Sequence, residues 1–72
     1  MTTTRYIIFG KYEELTKLTD LLKELEIDFT SEIDEFGLFV TFVNVNPTQL
    51  KYIKLIKNNY KLKVNIRKLV IH

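Results

Sequence analysis

The chain has 72 residues, with no cysteine, no alanine, one serine, one histidine, one proline and two glycines, and its second half carries no acidic side chain. Without cysteine, neither a disulfide framework nor a thiolate zinc site can form. A core of this size supplies only about 3–5 kcal/mol, so packing or a partner must provide the remaining stability. Nucleophilic catalysis needs a nucleophile, a base and an orienting group held together. Ser31 and the terminal His72 cannot assemble such a set, and His72 reads as a frayed end. Gly10 and Gly37 are too few for a phosphate-cradling loop. Neither an enzyme nor a cofactor is expected. The longest apolar runs are a few residues, against the ~20 that span a bilayer. The opening Met1 to Arg5 also lacks the apolar stretch of a signal peptide, so the expectation is a cytoplasmic chain with no membrane role. The missing alanine, beside many Ile, Lys, Asn and Tyr residues, fits an AT-rich genome such as those of phages and mobile elements.

Apolar residues make up 46% and charged residues 28%, the profile of a folded domain. Leucines at 15, 18, 21, 22 and 25 fall on one side of a 3.6-residue period and predict a helix over 12–25, with Glu13 and Glu14 in its first turn. "NPTQ" predicts the start of a second: Asn46 as cap, Pro47 at the first position and Gln49 completing a capping box. That helix, to Tyr60, is expected to bury Tyr52, Ile53, Ile56 and Tyr60. "RYIIFG" reads as a strand. "IDFTSEI" alternates Ile27, Phe29 and Ile33 with polar residues and reads as another. "DEFG", 34–37, reads as a hairpin turn leading into "LFVTFVNV", and "KLKVNIRKLVI" as a last strand.

The order strand-helix-strand-strand-helix-strand predicts one α+β domain over 1–72. It is the order of a ferredoxin-like βαββαβ sandwich: a four-stranded antiparallel sheet, order 4-1-3-2, with both helices on one face. The two central strands are apolar on both parities. Leu38, Val40, Phe42, Ile7 and Phe9 are assigned to the core, leaving Tyr6, Ile8, Phe39, Thr41 and Val43 on the open face. An apolar patch near ~400 Å² marks an interaction site, and those five residues form the expected protein interface. Leu69 and Ile71 are out of phase with Val64 and Ile66, so they either join the open face or follow a bulge back to the core.

Charge is polarised along the chain. Residues 1–36 hold four basic and all nine acidic side chains, net −5; residues 37–72 hold seven basic and none acidic, net +7. Asp28, Glu32 and Asp34 spread along one edge strand, an arrangement of a solvated edge and not of a metal site. Lys51, Lys54, Lys61, Lys63, Arg67 and Lys68, on the second helix and fourth strand, are candidate nucleic-acid contacts. The same lysines also serve to solubilise a helix and blunt an edge. "EFGLFVTF" resembles the RNP1 motif of RNA-recognition motif domains, with Phe39, Val40 and Phe42 matching. The resemblance implies base stacking on Phe39, with Tyr6 as a first-strand aromatic. Glu35 stands where that family has a cation and Gly37 where it has its other stacking aromatic, and "RYIIFG" lacks the asparagine and leucine of the first-strand motif, so the likeness is one of fold.

The function expected is a non-enzymatic protein-binding module, a small regulator or inhibitor docking a protein partner or a second copy through the open face. An RNA- or DNA-binding module using the second helix and fourth strand is the alternative.

Overall fold

A computed structural model describes residues 2–70. The elements are β1 (Thr4–Gly10), α1 (Tyr12–Glu24), β2 (Phe29–Ile33), β3 (Phe39–Val45), α2 (Pro47–Asn59) and β4 (Val64–Lys68). All three strand pairings are antiparallel, in the order β2-β3-β1-β4. This is the expected 4-1-3-2 order counted from the other edge, an α+β arrangement of one sheet and two helices. Among the described residues no helix is long and apolar enough to cross a membrane.

One hydrophobic cluster joins the layers. Leu15, Leu18 and Leu22 of α1 and Ile53 of α2 pack with Ile8, Val43, Val45 and Val64 of the sheet. The α2 stripe is narrower than its sequence suggests. Ile53 is buried, with Leu50 and Ile56 half-buried beside it, one helical turn to either side. Tyr52 and Tyr60, expected inside, are instead exposed: Tyr52 lies about 100° around the helix from Ile53, at the margin of the stripe, and Tyr60 is the C-cap residue, past the last turn of α2.

The capping box forms as predicted: the Gln49 amide donates to Asn46 Oδ1 at 2.8 Å, and the Asn46 amide donates to Gln49 Oε1 at 3.0 Å. The helix C-termini carry no comparable sequence signal. Both close in the same way, with Glu26 (φ 57°) and Lys61 (φ 53°) in the left-handed region. The next amides, of Ile27 and Leu62, reach back to the carbonyls of Leu22 and Lys57, and both aliphatic side chains are buried. Glycine usually fills that position because a Cβ is strained there. Glu26→Gly and Lys61→Gly are therefore each expected to raise the unfolding free energy by about 0.5–1 kcal/mol in urea titrations. Loss of stability in both would show that the two side chains contribute more than their strain.

Candidate interaction surface

The strand register sorts the sheet residues into two sets. Tyr6 pairs with Val43, Ile8 with Thr41 and with Ile66, Phe29 with Val43, and Ile33 with Phe39. Directly paired residues share a face, and these belong to the helix-covered side: Ile8 and Thr41 are fully buried and Val43 nearly so. Tyr6, Phe39 and Ile66 are partly buried against the same cluster. The other set is Ile7 with Phe42, Phe9 with Val40, Thr30 with Phe42, Glu32 with Val40, and Arg67 with Ile7. None of Ile7, Phe9, Val40 or Phe42 belongs to the helix-side cluster.

The expected face assignment is thus inverted. Tyr6, Ile8, Phe39, Thr41 and Val43 lie beneath the helices and cannot form an open-face interface, while Ile7, Phe9, Val40 and Phe42, expected in the core, line the uncovered side. The β2–β3 loop is the physical cause. A four-residue turn, 34–37, would pair Ile33 with Leu38, but the Asp34 amide donates to the Leu38 carbonyl at 2.8 Å, so Asp34 faces Leu38 and Ile33 faces Phe39. The loop proper is Glu35, Phe36 and Gly37, with Gly37 at φ +80° and Asp34 Oδ1 accepting from the amides of Phe36 and Leu38. One residue of register moves every side chain of a strand to the opposite face.

The uncovered face has an apolar centre and charged margins. Ile7, Phe9 and Phe42 are half-buried there, with Val40 closed in among them. The only two arginines in the chain both lie over its rings: the Arg5 guanidinium sits 4.9 Å from the Phe42 centroid and that of Arg67 5.8 Å from Phe9. Such stacking is worth about 0.5–1 kcal/mol at exposed sites. It lets a cation lie along apolar surface while its charged head stays in water. At the β2 margin stands Glu32, exposed, and at the β4 margin Arg67, exposed. Leu69 follows β4 in register, its amide donating to the Arg5 carbonyl at 2.9 Å, so it continues the uncovered side without a bulge. Ile71 lies outside the described residues.

The apolar surface continues round one end of the sheet. Phe9, Gly10, Tyr12, Ile33, Leu38 and Phe39 line an open cleft of about 900 Å³ between the β2–β3 loop and the start of α1. Tyr12 meets Phe39 edge to face, centroids 5.1 Å apart. Tyr12, Ile33 and Leu38 are more than half exposed, and Phe36 at the loop tip is 80% exposed. The sequence reading missed this cluster, although three large apolar residues flanking a glycine turn, Ile33, Phe36 and Leu38, were a visible signal.

The cationic candidates do not converge on one site, although Lys51 and Lys54 line one shallow groove along α2. Lys54 and the half-buried Lys57 line a groove between α2 and β4 with Asn65 and Ile66. Lys63 stands at the end cleft, Arg67 lies on the uncovered face and Lys61 closes α2. Lys51 and Lys68 are exposed, on α2 and at the end of β4. Among the described residues no three His, Asp or Glu side chains are grouped to hold a metal ion, and Asp34 spends its Oδ1 within the loop. No protein-family model matches the chain, and no curated protein shows significant similarity to it.

Proposed function

We propose that the chain is a non-enzymatic protein-binding module of ferredoxin-like fold, a small cytoplasmic regulator or inhibitor that docks through the uncovered side of its sheet. The reading is carried by one observation: Ile7, Phe9, Val40 and Phe42 form an apolar centre outside the helix-side cluster, between an acidic and a basic margin. An apolar centre with a charged rim is the anatomy of a protein interface, the centre giving affinity and the rim orientation.

Partner capture from the source cell tests it, comparing the wild type with Phe42→Ser and with the double change Lys51→Gln and Lys54→Gln. The expected result is a protein retained by the wild type, lost with Phe42→Ser at equal folded fraction, kept by the lysine variant and little affected by salt. Retention by Phe42→Ser would count against the reading. A second reading, nucleic-acid binding, draws on Phe9 and Phe42 as stacking surfaces on adjacent central strands and on the Lys54–Lys57 groove. It predicts the opposite pattern: binding that falls steeply with salt and is weakened in the lysine variant.

A further inference from the structure

We infer that the occupant of the uncovered face is a second copy of this chain, the two sheets stacked about a two-fold axis parallel to the strands. The inference rests on the binding role proposed above. It follows from where the strand order puts the charges. With β2-β3-β1-β4 across the sheet, Glu32 marks one margin and Arg67 the other. A half-turn about an axis parallel to the strands lays β2 of each protomer over the partner's β4, and β1 over the partner's β3. Each Glu32 then approaches the partner's Arg67, twice by symmetry. Along the strands Arg67 stands in the row of Ile7, Phe42 and Thr30, two residues from the row of Glu32, and its side chain spans part of that offset. Arg67 leans over Phe9, and Phe9 shares a cross-strand row with Val40 and Glu32, so the guanidinium is carried toward the level of the carboxylate it would meet.

Other closed arrangements face the margin charges with their own kind, whereas the parallel axis sets only the two Arg5 guanidiniums, held over Phe42 beside the axis, toward each other. A half-turn about an axis across the strands sets β2 on β2 and β4 on β4. Extending the sheet edge to edge, β2 to β2 or β4 to β4, does the same, and charged edges are a common device against such pairing. Identical sheets share one twist and stack with strands nearly aligned, which suits the parallel axis. The footprint is small: four strands about 4.8 Å apart and roughly five residues long cover roughly 300 Å². Standard interfaces bury about 800 Å² per partner, so the dimer belongs to the weak, reversible class.

Sedimentation equilibrium of the full chain from about 10 μM to about 1 mM covers weak, reversible association. The expected result is a reversible dimer, weakened about tenfold by Glu32→Arg and about tenfold by Arg67→Glu, since each change turns two attractions into repulsions. The double variant restores it, and an equimolar mixture of the two single variants forms a heterodimer. These margin residues are exposed, so the changes leave the fold intact. A chain that stays monomeric throughout, or a dimer indifferent to both charge reversals, overturns the inference. If such a monomer still captures a protein in a Phe42-dependent way, the binding role stands and only the second copy is excluded; if Phe42→Ser changes neither measurement, both are lost.

Discussion

Ile8→Ala is expected to lower the unfolding free energy by about 2–5 kcal/mol, while Ile7→Ala, one residue earlier, costs only about 1 kcal/mol. Both side chains are isoleucine on the same central strand, so propensity and transfer chemistry are matched and only the face differs. Ile8 is fully buried among Leu15, Leu18 and Leu22, where removing three carbons leaves a cavity the helices cannot close without moving. Ile7 is half-buried on the uncovered side, where water or neighbouring side chains fill the space. A domain of this length holds only about 3–5 kcal/mol in total, so Ile8→Ala should leave a large part of the population unfolded at room temperature. Urea titration followed by circular dichroism measures both. A larger loss at Ile7 would mean that the faces are the other way round, and equal losses that both are covered.

That contrast marks where sequence reading stopped. The six elements were legible because their signals are local: leucines at helical spacing in α1, the capping box at Asn46 and Gln49, the alternation in β2. The strand order followed from the order of elements. The face of the central strands was not legible from β1 or β3 alone, since Tyr6 and Ile8 compete with Ile7 and Phe9, and Val43 with Phe42. The deciding information was one residue of loop length. Counting the β2–β3 loop as Glu35 to Gly37, the three-residue type that ends on a left-handed glycine, ties apolar Phe29 and Ile33 to Val43 and Phe39 and fixes the parity. The edge strands held a second clue. Thr30, Glu32, Asn65 and Arg67 are polar side chains whose register partners are Ile7, Phe9, Val40 and Phe42. The open face therefore has polar flanks and an apolar middle. The charge asymmetry between the two halves of the chain was plain in the sequence, but only the strand order turned it into two opposite margins.

Gly10→Ala is expected to destabilise the domain by about 1–3 kcal/mol, although a glycine in a strand normally weakens it and its replacement would be favourable. A Cβ at Gly10 would sit 2.8 Å from the Lys63 carbonyl oxygen and 3.2 Å from Val64 Cγ1. The first contact is with backbone, which cannot rotate away, so the start of β4 must shift from the end of β1 where Gly10 pairs with Val64. Val64 is a buried member of the helix-side cluster, so the shift also loosens packing against the helices. Gly37→Ala makes a useful control. No atom lies within 4 Å of its added Cβ, but φ is +80°, so its cost is backbone strain alone, about 1 kcal/mol, with no change at β4. Amide hydrogen exchange separates the two: Gly10→Ala should speed exchange at amides along the β1–β4 ladder, and Gly37→Ala only near the β2–β3 loop. A neutral Gly10→Ala would show that the β1–β4 spacing is slack enough to admit a methyl group, and the end cleft that Gly10 and Lys63 share would then be adjustable in shape.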